Sequence, residues 1–221
     1  MNIPAQAPLH LLHRVNDGAF STHSRDPHGF PYPTALPFAP TALHTPMLLI
    51  SHLAEHTRNL QADARAGFLV AHSIDGRVLE GQRLTLLGTF ETAPADQQRE
   101  LARRYLRYHP DAARYLELGD FSFWVMTVTR MRYIGGFGAM GWLGGEEIDP
   151  LEPISAADEA TLCQFCDSDS RRPAHLDLLG IDRYGCDLRL NGTRNRFTFD
   201  KPKTSNEELK VALLDCFARQ P

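Results

Sequence analysis

PMLLISHLAEHTRNL, residues 46–60, joins a short apolar strand to a short polar helix. The apolar run ends at Ser51, and His56, Thr57 and Arg58 follow where the helix is predicted to open. Hydroxyl groups, a guanidinium and the N–H groups of a helix N-terminus all bind phosphate. The segment therefore predicts either an anion-binding corner or an ordinary strand–helix connection with a solvated charged face.

The residues around this corner predict more strands than helices. Short apolar or alternating runs bounded by turn residues are typical of strands, and longer runs with helical spacing are typical of helices. The predicted strands are 19–23, 32–38, 47–51, 67–72, 82–92, 121–129 and 132–138, and the predicted helices are 54–62, 95–108 and 110–118. This composition of elements favours a barrel over alternating βαβ units.

An acidic segment rich in Gly and Pro, residues 144–153, predicts a linker. We therefore expect three parts: an N-terminal lead, 1–17, a barrel domain, 18–148, and a small C-terminal α+β domain, 153–221. Within the last part, capping residues predict helices that begin after Ser155 and Ser205. The dipeptide Asn191-Gly192 predicts a hairpin turn, and residues 173–179 predict a further helical stretch.

The composition excludes several classes of function. The 221 residues carry a formal net charge of −4, which gives no strong attraction to nucleic acid. No apolar run approaches the roughly 18 residues that a membrane-spanning helix needs. Residues 1–12 have no basic start and contain two prolines, so we expect no signal peptide. We therefore expect a cytoplasmic protein that binds neither nucleic acid nor a membrane.

The cysteines leave two interpretations open. Cys163 and Cys166 have the CxxC spacing found in zinc and redox sites. A structural zinc site needs four ligands, and no second CxxC or HxxxH motif follows. The pair also lies inside a predicted helix, where buried thiols are the simpler interpretation.

Four motifs occur in the order and spacing of a known family: PMLLISHLAEHTRNL at 46–60, RLTLLG at 83–88, GDFSFW at 119–124 and RYIGGFGAMGW at 132–142. Together they resemble the HugZ/HutZ haem-utilisation branch of the pyridoxamine 5′-phosphate oxidase-like superfamily. The resemblance implies an FMN-binding split β-barrel, antiparallel and of Greek-key type. The last 70 or so residues resemble the α+β domain often appended to such barrels.

The resemblance also implies a site. In these barrels a hydroxyl at a strand end and a Ser/Thr–Arg/Lys pair on the next helix hold the FMN phosphate, in a groove between the protomers of a homodimer. These positions match Ser51, Thr57 and Arg58, with His56 and Asn59 beside them. The cofactor-binding candidates are therefore Ser51, His56, Thr57, Arg58, Asn59, Arg83, Thr34 and Asp120.

Relatives that degrade haem use the same groove and take an axial histidine from the C-terminal region. The family's Asn-x-Asp-His element corresponds here to residues 167–170, where Ser170 stands in place of the histidine. The only histidine beyond residue 109 is His175, which is the candidate iron ligand if haem is bound. A structural or exposed role for His175 is the alternative.

The first functional hypothesis is a flavin-dependent oxidoreductase that uses FMN and acts on a small-molecule substrate. The alternatives are a haem-binding or haem-degrading oxygenase of the HugZ/HutZ kind, a flavin or haem carrier without catalysis, and an interaction module that has lost its cofactor. The sequence assigns no catalytic residue and no metal site other than the haem interpretation of His175.

Overall fold

The structure is a computed structural model that describes residues 3–4, 6–136, 138–149 and 151–219. The chain divides into two compact units, an N-terminal unit of residues 1–150 and a C-terminal unit of residues 151–221. The boundary between them falls within the segment 144–153. No helix in the described ranges is long and apolar enough to span a membrane.

The N-terminal unit is a curled antiparallel sheet with short helices. Its helices are α1 (Ala7–Arg14), α2 (Glu55–Ala62), α3 (Gln98–Tyr108) and α4 (Ala113–Leu116). Its strands are β1 (Asp17–His23), β2 (Pro31–Pro37), β3 (Ala39–Pro40), β4 (Pro46–Ser51), β5 (Arg65–Ile74), β6 (Arg77–Thr92), β7 (Phe121–Ile134) and β8 (Met140–Gly144). The strand order is β2-β1-β5-β6-β7-β4-β3, and β8 pairs with β7. The prediction of an antiparallel split barrel is confirmed.

One face of this sheet carries the core. Alternate residues of the long strands point inward, so Phe20, Phe68 and Phe90 pack together, with 5.0 Å between the ring centroids of Phe20 and Phe90. The opposite face, called the open face below, carries Leu69 and Leu87, which remain 39% and 41% exposed. The open face therefore presents apolar side chains that a ligand or a partner could cover.

A bulge between Leu87 and Gly88 interrupts the pairing of β6 with β7. A Cβ atom on Gly88 would clash with the carbonyl oxygen of Thr127, so only glycine allows the two strands to approach here. The bulge bends the sheet at the centre of the open face. Arg130 and Arg132 of β7 also point toward that face. The two predicted strands, 121–129 and 132–138, belong to one continuous strand, β7, which ends at Ile134.

The C-terminal unit packs two helices, α5 (Ala156–Ser168) and α6 (Asn206–Ala218), with a three-stranded antiparallel sheet. Its strands are β9 (Leu176–Asp182), β10 (Gly185–Leu190) and β11 (Thr193–Thr198). Ser155 and Ser205 cap the two helices as predicted. The helix predicted at 173–179 is wrong, because most of that segment belongs to β9, which pairs with β10.

The four cysteines lie in the C-terminal unit, and none of them is in a disulfide. Cys166 is buried against the sheet, and this burial raises the pKa of its thiol to about 12. A thiol that stays protonated is a poor nucleophile and a poor metal ligand. The structure therefore favours the interpretation of Cys166 as a core side chain.

Candidate functional site

The corner at the end of β4 brings two of the predicted residues together. Ser51 Oγ donates a hydrogen bond to Asp120 Oδ2 at 2.5 Å and accepts one from the Leu53 amide at 3.0 Å. The hydroxyl proton is therefore directed at a carboxylate of the same chain. A phosphate at this corner would meet the negative charge of Asp120.

The first turn of α2 is also engaged with its own protein. Thr57 is fully buried, and its hydroxyl donates to the Ser51 carbonyl oxygen at 2.7 Å. The side chain of Arg58 is 46% exposed and lies 4.0 Å from Glu55, which Arg25 approaches to 3.3 Å. Charges at the corner are therefore balanced before any ligand arrives. Phosphate binding by Ser51, Thr57 and Arg58 stays a prediction.

Asn59 connects α2 to β1. Its side chain is fully buried; Nδ2 donates to Thr22 Oγ1 at 3.1 Å, and Oδ1 accepts from the Arg25 amide at 3.2 Å. Buried amides usually satisfy their hydrogen-bonding groups in this way. The contacts assign Asn59 a positioning role for the end of β1.

His56 packs edge-on against Phe20, with 5.9 Å between the ring centroids. Its Nε2 atom is buried and has no hydrogen-bond partner among the described residues, and burial lowers the pKa of the imidazole. The charged form is therefore disfavoured in the folded state. This geometry predicts a pH effect on stability.

As pH falls below about 6.5, His56 becomes protonated in the unfolded chain before it does so in the folded one, so stability decreases with acidification. We expect His56→Phe, which keeps the aromatic contact, to reduce this loss. Urea unfolding at pH 7.5 and 5.5, followed by tryptophan fluorescence, measures it, since both tryptophans lie in the N-terminal unit. His52→Phe, at an exposed position, is the control; equal pH losses in both variants and in the parent would contradict the assignment.

Arg83 and Thr34 lie away from the corner. Ser51 pairs with Phe121 at the first residue of β7, whereas Arg83 pairs with Ile134 at the last. Ser51 of β4 and Arg83 of β6 therefore lie beside opposite ends of β7, far apart within one protomer. Thr34 lies in the edge strand β2, opposite Phe20.

His175 lies in the C-terminal unit, just before β9. Its imidazole belongs to an exposed residue, and its carbonyl oxygen accepts a hydrogen bond from the Asn191 amide at 3.3 Å. This backbone contact extends the pairing of β9 with β10 by one residue, next to the turn between β10 and β11. An iron-binding role for His175 stays a prediction.

A groove of about 760 Å³ crosses the open face over β1, β5, β6 and β7. We call it the sheet groove. Its size lies within the roughly 300–1,000 Å³ typical of small-molecule and cofactor sites. None of the eight sequence candidates lines it. The sheet groove is therefore distinct from the predicted corner, although Leu87 and Gly88 in its lining belong to the RLTLLG motif at 83–88.

The floor of the sheet groove is small and apolar. Ala66, Gly67 and Gly88 expose backbone, and Leu87 adds an apolar wall. A Cβ atom on Gly67 would come no closer than 3.8 Å to Leu87 Cδ2, so the space above this residue is open. An open floor of small residues beside an apolar wall leaves room for the apolar part of a ligand.

Three nitrogen-bearing side chains line the sheet groove: His23 from β1, Arg65 from β5 and Arg130 from β7. Asp63 accepts from Arg65 Nη2 at 2.6 Å and from Nε at 2.9 Å. These hydrogen bonds hold the pKa of Asp63 well below its usual range. Arg130 lies 4.3 Å from the ring centroid of Trp142, a cation–π contact that orients its guanidinium.

The sequence analysis missed these three residues because they lie on three separate strands. Their common feature is strand parity: on β5, Ala66 and Phe68 point into the core, so Arg65 and Gly67 point to the open face. Parity could have placed each residue on that face. Only the register of the strands shows that they meet at one groove.

A separate buried chain of hydrogen bonds lies in the same unit. His13 Nε2 and His44 Nδ1 are 2.8 Å apart, and His44 Nε2 is 3.0 Å from Asp149 Oδ2. His44 has a φ of 57°, and its turn is held by hydrogen bonds from the His44 amide to the Thr41 carbonyl oxygen at 3.1 Å and from the Thr41 amide to the Thr45 carbonyl oxygen at 2.9 Å. The chain ties α1 to two loops, which is a structural role.

An antiparallel sheet curled around one core, with a groove on its other face, defines this chain as a split β-barrel protein. The family model described as "CREG, beta-barrel" matches residues 4–149. The chain therefore belongs to the CREG β-barrel family.

Two relatives have names that mention haem. The chloroplastic haem oxygenase HOZ of Arabidopsis thaliana is 32% identical over 148 residues, which are 67% of this chain but 44% of HOZ, so this chain spans less than half the length of that relative. The haem binding protein of Mycobacterium smegmatis is 27% identical, with a TM-score of 0.62, over 99% of this chain and 98% of that one. A protein of unknown function from Agrobacterium tumefaciens, 20% identical, has a TM-score of 0.80 over 95% and 93% of the two chains, which shows a shared fold.

Proposed function

We propose that this protein binds haem in the sheet groove. The observation that carries the proposal is the combination of an open, apolar floor at Gly67 with two guanidiniums, those of Arg65 and Arg130, at the same groove. Haem combines a planar apolar ring with two carboxylates. Arginine binds carboxylates with charge-assisted hydrogen bonds, and the guanidinium of Arg130 and the Nη1 group of Arg65, whose Nε and Nη2 donate to Asp63, are the donors that the groove offers.

The relatives support this choice of cofactor. HOZ is a haem oxygenase by name, and the Mycobacterium smegmatis protein, which matches nearly the whole chain, is a haem binding protein by name. The same similarity supports placing the chain near the HugZ/HutZ haem-utilisation branch. Oxidative haem degradation is the activity that we propose, and a haem carrier is the alternative.

The contacts at the β4 corner favour haem over FMN. FMN carries a phosphate, and the two hydroxyls predicted to bind it, those of Ser51 and Thr57, already donate to acceptors of their own chain. Asp120 would also repel the phosphate. A flavin-dependent oxidoreductase remains the second candidate through the superfamily, and the same titration tests it.

Several groove residues would each contribute differently to haem binding. Bound haem supplies redox and oxygen chemistry that no side chain provides. Arg130 would bind one carboxylate, Arg65 would offer the other its Nη1 group while it stays paired with Asp63, and Gly67 would let the ring approach the backbone. Leu87 lines the groove and Leu69 lies on the same open face, and a second protomer that covered them would form the homodimer that the family resemblance implies.

Titration of the purified protein with haemin and, separately, with FMN tests the proposal. We expect haemin to give a saturable, stoichiometric Soret band and FMN to give no saturable change. Bound haemin that loses its Soret band with dioxygen and an added reductant would indicate degradation, whereas a stable band would indicate a carrier. Saturable FMN binding with no haemin binding would overturn the haem proposal.

A further inference from the structure

We propose that His23 is the side chain that would hold the haem iron in the sheet groove, an inference that rests on the haem proposal above. Haem iron in proteins is held by the side chain of His, Cys, Met or Tyr. Among the described residues that line the sheet groove, His23 is the only one of these four types. A haem seated over Gly67 therefore has one candidate ligand within its own site.

The strand geometry directs His23 toward the groove. Along β1, Phe20 and Thr22 are buried on the core side, so Ser21 and His23 point to the open face. Thr22 pairs with Ala66 of β5, which places His23 beside the strand that carries Arg65 and Gly67. His23 thus occupies the edge of the groove next to its floor.

The backbone of His23 is anchored while its ring remains exposed. Thr22 is held by Asn59, and on the other side the Ser24 amide donates to the Phe30 carbonyl oxygen at 2.8 Å. The His23 imidazole makes no hydrogen bond within the described part of the chain. The strand end is therefore anchored, and its exposed imidazole is accessible to a ligand in the groove.

His23 replaces the ligand that the family pattern leads one to expect. The position of the usual C-terminal histidine is Ser170, and His175 is the nearest substitute in the sequence. His23 comes from the barrel itself, in the same unit as the groove. The inference therefore explains how a chain with serine at that position could still coordinate iron.

His23→Ala tests the assignment by spectroscopy. We expect the variant to bind haemin at least about tenfold more weakly, to show a shifted Soret band and to lose the electron paramagnetic resonance signature of imidazole ligation. Added imidazole should restore the parent spectrum, because it can occupy the space left by the side chain. His72→Ala, an exposed histidine of β5 outside the groove, is the matched control.

The outcomes separate this inference from the haem proposal. A parent protein that does not bind haemin would overturn both. A parent that binds haemin, with a His23→Ala variant of unchanged Soret band and paramagnetic resonance spectrum, would overturn only the ligand assignment. Loss of the ligated spectrum in His175→Ala, with His23→Ala unaffected, would transfer the role to His175.

Discussion

Replacement of Arg196 by methionine is expected to destabilise the C-terminal unit by about 3–5 kcal/mol, the range seen when one partner of a buried ion pair is removed. The Arg196 side chain is fully buried on β11. Its Nη2 lies 2.9 Å from Asp182 Oδ2, and its Nη1 lies 2.8 Å from Asp187 Oδ1. The substitution would remove the guanidinium that both buried carboxylates bind.

The cluster holds all three strands of the C-terminal sheet. Asp182 ends β9, Asp187 lies on β10 and is paired with Arg196 of β11, and Asp182 also accepts the Tyr184 amide at 2.8 Å. Burial alone would lower the pKa of Arg196, but the two carboxylates raise it overall, so the guanidinium stays charged. A Cβ atom on Gly185 would lie only 3.2 Å from Arg196 Cζ, so glycine at this position leaves room for the guanidinium.

Amide hydrogen exchange of peptides within residues 176–198 is the measurement, because the unit contains no tryptophan and global unfolding need not be two-state. We expect much faster exchange in Arg196→Met. Arg171→Met, which removes a solvent-exposed pair with Asp169, is the control and should change exchange little. Equal protection in Arg196→Met and the parent would show that the cluster contributes no stability.

The barrel could be predicted from the sequence because its strands alternate clearly. Leu84 and Leu86 point inward on β6, and polar or exposed residues separate them. The same rule corrects one error, since the sequence predicted two strands, 121–129 and 132–138, where β7 continues through Arg130 and Arg132. They point to the open face, while Met131 and Tyr133 continue the core side, so the strand is unbroken.

The segment at 173–179 shows where periodicity gives no decision. LDLLGID, residues 176–182, is buried along almost its whole length, and a short run of that kind fits a buried helix or a central strand. Leucine favours helix locally. The segment is a strand because it pairs with β10 across a tight turn, and the residues of the segment alone do not indicate this pairing.

The site was predictable only in part. Motif spacing indicated the β4 corner, and the structure does bring Ser51, Thr57 and Asp120 together there. Motif spacing could not show that these side chains hydrogen-bond to groups of their own chain, because Asp120 and Ser51 are 69 residues apart in the sequence. The sheet groove needed the register of four strands, which no motif contains.

Gly67→Phe is expected to weaken haemin binding by roughly 100-fold, or about 2.7 kcal/mol. A phenyl ring at this position would occupy the space over the groove floor that the haem ring requires. The backbone should accept the change, since a Cβ atom here makes only ordinary contacts and aromatic residues are favoured in strands. Haemin titration, together with a thermal unfolding curve, measures binding and stability separately.

Ala71→Phe is the matched control, because Ala71 lies on the same strand and the same face as Gly67 but outside the sheet groove. The control adds the same ring to the open face, so general effects of an aromatic surface would appear in both variants. Loss of binding in Gly67→Phe alone, with both variants folded, would locate the haem over Gly67. Undiminished haemin binding by Gly67→Phe would place the haem elsewhere on the molecule and would remove the geometric basis for His23 as its ligand.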